Sequence, residues 1–189
     1  LNVSSGTLNG LAGLLVSNSF SYTGGTIGSG FSTIAITQAS GNLTFSQPLT
    51  TSGNVSLTAS AGSISETGSG AISGALLTTS SVGGTTLNGA NMVGSFSALN
   101  MTSGDIALTN TGALNITGIS QTSAGNVTVS NAGVLSVTGS ITTTTGNISL
   151  TAQDLALSAS LTGSGALALM PSTAGSSIGI GTGAAGSFN

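Results

Sequence analysis

The sequence predicts an all-β fold, a parallel β-helix (β-solenoid) of about nine coils with ~21 residues in each. Three observations predict this fold. A glycine-led motif returns at intervals of about 21 residues in the second half of the chain, apolar residues alternate with small or polar ones inside each motif, and helical spacing of three and four is not sustained. Residues 1–189 are therefore expected to form a single β-solenoid segment.

The repeat is clearest after residue 103, where four successive units begin with glycine. Each unit contains two pairs of apolar residues, and the members of a pair are two positions apart, so both side chains lie on the same side of a strand. The first pairs are Ile106 and Leu108, Val127 and Val129, Ile148 and Leu150, and Leu167 and Leu169; the second pairs are Leu114 and Ile116, Leu135 and Val137, Leu155 and Leu157, and Ile178 and Ile180. A unit this short cannot bury these side chains alone, so a core is predicted that forms when coils stack.

The residues that open each unit are predicted to form a row of turns along the solenoid. The row consists of Gly104, Asp105, Gly125, Asn126, Gly146 and Asn147. The glycines lie where the backbone must bend, and positive φ angles are expected for them. Asn tolerates turn conformations, and stacked Asn side chains are expected to hydrogen-bond to one another along the rod.

The first half of the chain repeats less cleanly. Leu43 and Ile64 are 21 residues apart, and Leu76 falls 21 residues after Val55. The register then drifts, so residues 74–103 are expected to form a longer loop or an irregular coil.

Other folds with short strands fit the pattern less well. An antiparallel sandwich also has alternating strands, but it gives no reason for a motif to return at a fixed interval. A leucine-rich repeat has a similar period, but its leucine pattern and helical segment are missing. A β-propeller repeats at about 40–45 residues and carries aromatic signatures, whereas this chain has six aromatic residues.

The composition argues against several classes of function. The chain has no Lys, Arg, His or Cys. Nucleic-acid binding needs cationic side chains to neutralise phosphates, and a polybasic membrane patch needs them too. No apolar run approaches the ~20 residues that cross a bilayer. We therefore expect no nucleic-acid partner and no membrane insertion.

No catalytic, cofactor-binding or metal site is predicted. The titratable inventory is three carboxylates, one tyrosine and many hydroxyls. Glu66, Asp105 and Asp154 are far apart in the repeat and are interpreted as solvated surface groups, so a paired-carboxylate site and a calcium site with six to eight oxygens are both disfavoured. The chain is therefore not expected to be an enzyme.

An ice-binding surface would require threonine at the same outward position of every coil. The outward positions within the first pairs are Ala107, Thr128, Ser149 and Ala168, and those within the second pairs are Asn115, Ser136, Ala156 and Gly179. Neither row is a threonine ladder, so ice binding is a remote alternative. Phe20, Tyr22, Phe31, Phe45 and Phe96 could form an exposed stripe on which sugars stack, but they are expected in the core, since Phe45 alternates with Leu43.

The runs GNLTF, GNVSLTASAGSI, GDIALTNTGALNITG and GNVTVSNAGVLSVTG resemble the repeat region of filamentous-haemagglutinin-like exoproteins, the β-helical adhesins exported by two-partner secretion. The resemblance covers most of the chain, best over residues 41–169. It implies a right-handed β-helix on the surface of a Gram-negative bacterium, with roles in adhesion, biofilm formation or contact between cells. The repeat sequences of autotransporter passenger domains are similar. The family's amino-terminal secretion motif does not occur in this sequence.

The leading hypothesis is a secreted, non-enzymatic structural stalk of a surface adhesin. The chain begins at Leu1 without a signal region, so it is interpreted as part of a longer polypeptide. A self-assembling extracellular fibre or sheath subunit is the main alternative, since both ends lack charged caps and an uncharged surface does not repel its neighbours. The expected partners are other copies or coils of the same kind, and a host or neighbouring cell contacted through regions outside this chain.

Overall fold

Successive coils of the chain stack with their strands parallel, so the β-solenoid predicted from the repeat is confirmed. The computed structural model describes residues 1–174, and these residues form strands and turns without a helix. Accordingly, no helix within residues 1–174 is long and apolar enough to cross a membrane. The predicted core pair Ile178 and Ile180, and the outward Gly179, lie outside the described residues.

The strands are short in the first coils and lengthen in the middle of the chain. In chain order they are β1 Asn2–Val3, β2 Thr7–Leu8, β3 Leu14–Val16, β4 Ser21–Tyr22, β5 Thr26–Ile27, β6 Ile34–Gln38, β7 Leu43–Phe45, β8 Leu49–Thr50, β9 Val55–Ala59, β10 Ile64–Glu66, β11 Ile72–Ser81, β12 Thr85–Asn100, β13 Ile106–Asn110, β14 Leu114–Gln121, β15 Val127–Asn131, β16 Val134–Val137, β17 Ile141–Thr143, β18 Ile148–Ala152, β19 Asp154–Leu157, β20 Leu161–Thr162 and β21 Leu167–Pro171.

One side of the solenoid, here called the front sheet, contains one strand from every coil. Its order is β1, β4, β7, β10, the start of β12, β13, β15, β18 and β21, each parallel to the next. From Leu43 to Ile148 every step in the register is 21 residues, as between Leu43 and Ile64. The nine strands are joined by eight steps, which gives about eight turns within the described residues.

The opposite side, the back sheet, is built from the second part of each coil. Its strands are β3, β6, β8, β9, β11, the end of β12, β14, and then the split pairs β16 with β17 and β19 with β20. In the first two coils, β2 and β5 form a separate parallel pair. Each coil therefore runs along both faces of the core and is hydrogen-bonded to neighbouring coils in both sheets.

The core lies between the two sheets and is continuous along the solenoid. The predicted positions Ile106, Leu108, Leu114, Ile116, Val127, Val129, Leu135, Val137, Ile148, Leu150 and Leu155 are buried. Burying one such aliphatic side chain contributes about 1.5–3 kcal/mol. Leu157 is half-buried, and Leu167, in the last described coil, is 52% exposed. The five aromatic residues of the described segment, Phe20, Tyr22, Phe31, Phe45 and Phe96, are in the core as predicted, and Phe45 and Phe96 are fully buried.

Of the two alternatives predicted for residues 74–103, a longer loop or an irregular coil, the structure has strands with an irregular register and no long loop. The segment contains most of β11 and all of β12, the two longest strands. The drift in register comes from bulges: Leu87 pairs with Leu108 but Asn91 pairs with Asn110, which places two extra residues in β12. A bulge absorbs inserted residues while the strand continues on either side. Val55 pairs with Leu77, and not with Leu76 as the 21-residue count suggested, because one extra residue lies between Ile64 and Leu77 compared with the preceding coil.

Candidate functional site

The predicted turn row lies immediately before the front-sheet strands, with Asp105 and Asn147 exposed and Gly146 buried. The carboxylate oxygen Oδ1 of Asp105 accepts a hydrogen bond from the backbone N–H of Asn126 at 2.7 Å. The Oδ1 atom of Asn126 accepts the N–H of Asn147 at 2.9 Å, and that of Asn147 accepts the N–H of Ala166 at 2.8 Å. The main partner of each side chain is thus a backbone amide of the next coil. Side-chain pairing, which was expected, is seen in this row between Asn126 Nδ2 and Asp105 Oδ1 at 3.3 Å.

The three glycines of this row are required for two different reasons. Gly104 has a φ of 78°, as the sequence predicted. Gly125 and Gly146 do not have positive φ, so the prediction was wrong for these two. A Cβ atom on Gly125 would overlap the carbonyl oxygen of Gly104, and one on Gly146 would overlap that of Gly125. Close approach between the backbones of successive coils therefore excludes a side chain there.

A buried row of amide side chains, which the sequence reasoning missed, follows one long edge of the core. It consists of Asn91, Asn110 and Asn131, each at most 1% exposed. The Oδ1 atom of Asn110 accepts the backbone N–H of Val93 at 2.8 Å, and its Nδ2 donates to Oδ1 of Asn131 at 3.0 Å. Asn131 in turn donates to the carbonyl of Val134 at 2.9 Å. The row satisfies backbone groups where the chain leaves the front sheet and the ladder cannot reach them.

A second buried polar row follows the other long edge, where the chain leaves the back sheet. It consists of Ser81, Asn100, Gln121 and Thr143, which are aligned in register. Asn100 accepts the N–H of Gly84 at 3.0 Å and donates to the carbonyl of Gly104 at 2.9 Å. Thr143 donates to the carbonyl of Gly146 at 2.8 Å. The side chains of this row therefore stabilise, through hydrogen bonds, the turns that precede the front-sheet strands.

A signal for the first of these rows is present in the sequence. In β13 the inward positions are Ile106, Leu108 and Asn110, because alternate side chains of a strand share a face. In β15 the same positions hold Val127, Val129 and Asn131. Extending each apolar pair by two residues, at the same 21-residue interval, would have identified Asn110 and Asn131 as inward.

The three carboxylates lie in different environments. Asp105 and Asp154 are exposed, as predicted. Glu66 is half-buried, so its interpretation as a solvated surface group was wrong. Its Oε2 atom accepts the backbone N–H of Gly89 at 2.8 Å and the side-chain amide of Asn91 at 3.2 Å. Gly89 belongs to the bulge of β12, so Glu66 provides an acceptor for an amide that the bulge removes from the ladder.

Burial raises the pKa of Glu66 above its ordinary value of 4.5, against the opposing effect of the hydrogen bonds from Gly89 and Asn91. The folded chain then binds a proton more tightly than the unfolded chain, so this group favours folding most at low pH. Its contribution is lost as the pH rises from 4.5 through the raised pKa of the folded state.

Replacing Glu66 by glutamine is expected to remove this pH dependence while keeping an oxygen acceptor for Gly89. The wild-type urea midpoint should fall between pH 4.5 and neutrality, whereas the midpoint of Glu66→Gln should stay level across the same window. Asp154→Asn, which changes an exposed carboxylate, is the matched control and should retain the wild-type slope. A wild-type slope in Glu66→Gln would contradict this assignment.

One outward row of the front sheet consists of small, uncharged residues. In register they are Ser21, Thr44, Ser65, Thr86, Ala107, Thr128, Ser149 and Ala168. The hydroxyls of Thr44 and Ser65 are 3.0 Å apart, within hydrogen-bond distance. Serine and alanine interrupt threonine along the row, which does not favour ice binding.

The first coil leaves part of the apolar core uncovered within the described residues. A cavity of about 460 Å³ lies there, bordered by Leu8, Leu14, Leu15 and Val16. Leu15 is 74% exposed, and Leu8 and Leu14 are half-buried against the core. The strands of this coil also have one unpaired edge each, which is a template for a further parallel coil.

Residues 1–174 contain no group of three or more His, Cys, Asp or Glu residues that would hold a metal ion. The chain matches no family model, no curated protein and no solved structure. A functional proposal for this chain therefore rests on its own geometry.

Proposed function

We propose that this chain is a non-enzymatic structural segment of a secreted bacterial surface adhesin and forms part of its stalk. The observation that carries the proposal is the continuity of the core and of both parallel sheets along the rod. Each coil is held to its neighbours by backbone hydrogen bonds on two sides and by buried aliphatic side chains between them. A rod of this kind holds its two ends a fixed distance apart, because each coil adds about 4.8 Å to its length.

The polar side chains support a structural role. The turn row and both buried rows bind backbone groups of their own or neighbouring coils, as Asn126 does for Asn147 and Asn100 does for Gly104. Glu66 accepts a hydrogen bond from an amide in the bulge of β12, and the exposed Asp105 accepts a hydrogen bond from an amide of the next coil. We therefore assign these groups to holding coils together, and none of them to a reaction on a bound substrate.

An extracellular location on a Gram-negative bacterium is part of the proposal, as the resemblance to filamentous-haemagglutinin-like exoproteins implies. Lacking Lys and Arg, the chain offers no cleavage site to trypsin-like proteases. The stalk would carry a region outside this chain that contacts a host or neighbouring cell. No nucleic-acid or membrane-inserted partner is proposed.

A fibre subunit is the second candidate, and the open first coil is compatible with a fibre subunit as it is with a stalk segment. The uncovered Leu8 and Leu14 and the unpaired strand edges match another coil of the same kind. That coil is supplied by the same polypeptide in a stalk and by a second copy in a fibre. Electron microscopy of the purified chain separates the two, with isolated short rods expected for a stalk segment and filaments of many rod lengths for a fibre subunit.

The stalk proposal predicts that the segment is displayed on intact cells. Antibodies raised against the purified chain should label unpermeabilised source cells in immunogold electron microscopy. A cytoplasmic protein of the same cells, probed in parallel, is the control for leakage. Label that is found only after permeabilisation would refute the proposed location.

A further inference from the structure

The same run of residues, Thr-Leu-Asn-Gly, occurs twice in the chain and lies in two different environments. One copy is residues 7–10, in the first coil, and the other is residues 86–89, in β12. In an Asn-Gly sequence the backbone nitrogen of the glycine can attack the side-chain amide of the asparagine, because glycine has no Cβ to obstruct the approach. Asn9 and Asn88 are both exposed. A difference in reactivity between them must therefore come from the surrounding structure.

The second of these asparagines lies in the bulge of β12. The register between β12 and β13 shifts after Leu87 and resumes at Asn91, so residues 88–90 have no partners in the ladder between these two strands. A Cβ atom on Gly89 would overlap the carbonyl oxygen of Gly70 in the preceding coil. The packing of the bulge therefore requires the same glycine that leaves the asparagine open to attack.

A carboxylate lies against the attacking nitrogen of this copy. The Oε2 atom of Glu66 accepts the N–H of Gly89 at 2.8 Å, and this N–H must lose its proton when the nitrogen attacks. The Nδ2 atom of Asn91 donates to the same oxygen at 3.2 Å and holds the carboxylate in place. Burial raises the pKa of Glu66, which makes its ionised form a stronger base than an exposed glutamate.

Water has access to the same peptide. A cavity of about 180 Å³ is lined by Glu66, Asn88 and Gly89. A water molecule takes up about 30 Å³ in the liquid, so the cavity has room for several. It therefore provides a path for a small leaving group to depart and for water to reach the site.

The first copy lies far from the acidic side chains of the chain. The chain has three acidic residues. Glu66 is reached from Val3 by three steps of the front-sheet register, which is about 14 Å along the axis. Asp105 and Asp154 belong to later coils still. The two copies therefore share one local sequence and differ in whether a base contacts the glycine nitrogen.

We propose that Asn88 is a site of self-modification, at which Glu66 acts as the base and asparagine is converted to aspartate and isoaspartate. Glu66 takes the proton from the N–H of Gly89, and the nitrogen attacks Cγ of Asn88. The N–Cγ bond forms as the Cγ–Nδ2 bond breaks, and the proton passes from Glu66 to the departing amide group, which leaves as ammonia. Water then adds to either carbonyl of the succinimide ring and opens it to aspartate or isoaspartate.

The bulge can accommodate either product. Isoaspartate lengthens the backbone by a methylene, and both products add a negative charge. Because residues 88–90 are outside the ladder with β13, the longer backbone does not shift the pairs on either side. The reaction consumes a side chain of the molecule itself and has no turnover, so it is compatible with a structural role and does not rest on the stalk proposal.

The test compares Asn88 with Asn9 in the same purified 189-residue chain, incubated at neutral pH. Peptides from digestion with pepsin are separated by chromatography, which resolves aspartate from isoaspartate, and are identified by mass spectrometry. In the folded chain Asn88 should convert about tenfold faster than Asn9. In urea above the unfolding midpoint, the two identical tetrapeptides should convert at equal rates, because the folded surroundings are lost.

Glu66→Gln keeps an oxygen acceptor for Gly89 but is not a base, so it should slow conversion of Asn88 by about tenfold and leave Asn9 unchanged. Asp154→Asn, which removes an exposed carboxylate elsewhere, is the control and should keep both wild-type rates.

The proposal is overturned if Asn88 converts no faster than Asn9 in the folded chain, or if a folded Glu66→Gln variant converts Asn88 at the wild-type rate. If this variant does not reach the wild-type far-UV ellipticity, the wild-type chain decides alone. A ratio of the two rates that is the same with and without urea then overturns the proposal, and a ratio that falls to one in urea supports it.

Discussion

Replacing Gly146 by alanine is expected to lower the free energy of unfolding by about 3 kcal/mol. The added Cβ would overlap the carbonyl oxygen of Gly125 in the preceding coil, and Gly146 itself is buried. The two coils must then separate locally. That movement lengthens the hydrogen bond from the N–H of Asn147 to Asn126 and disturbs the start of the front-sheet pairing between Val127 and Ile148.

Urea unfolding followed by far-UV circular dichroism measures this effect. Gly112→Ala is the matched control, since a Cβ at that position would meet only the Cγ atom of Met92 at 3.8 Å. The control should be neutral or stabilise the chain by up to about 1 kcal/mol, because alanine restricts the unfolded chain. Equal urea midpoints for the two variants would show that the close approach of coils at Gly146 does not limit the stability of an alanine variant.

Replacing Asn110 by leucine is also expected to destabilise the chain by about 3 kcal/mol. Leucine has a similar size but no hydrogen-bonding groups. The substitution leaves three groups without the partner they now have: the N–H of Val93, the Oδ1 atom of Asn131 and the carbonyl of Gly112. Each group that stays buried and unpaired costs about 1–3 kcal/mol, and the gain from burying leucine offsets part of the sum.

Hydrogen exchange localises this loss. The amide of Val93 should exchange faster in Asn110→Leu, while amides in the middle of β7, such as that of Thr44, should be less affected, because coils interact mainly with their nearest neighbours. Asn54→Ala, which changes an exposed asparagine, is the control and should leave the urea midpoint within about 0.5 kcal/mol of wild type. Unchanged protection of Val93 in Asn110→Leu would argue against a role for the buried row.

How far the sequence predicts this molecule depends on whether a feature is set within one coil or between two. The pairs Ile106 with Leu108 and Val127 with Val129 were predicted to occupy equivalent positions, and the register pairs them so. The prediction succeeded because a period of two fixes the face of each side chain, and a fixed interval fixes the neighbour. The same reasoning was not extended to Asn110 and Asn131, although the period places them on the inner face.

The candidate sites were less accessible to sequence reasoning. Glu66 looked like an isolated surface acid, and its partner Gly89 is 23 residues away in an inserted bulge. Thr117 is an extra residue, because Phe96 pairs with Ile116 and Ser97 with Gly118, and its effect on the register appears only when β12 and β14 are paired.

By itself, the sequence determined the solenoid, its interval and the aliphatic core, because alternation and repetition are properties of a linear chain that stacking converts directly into structure. The tertiary structure decided where bulges fall, why Gly125 and Gly146 must lack side chains, and which polar groups are buried. Those features arise from the distance between backbones of neighbouring coils, which is set by the whole stack and is not encoded in any single repeat.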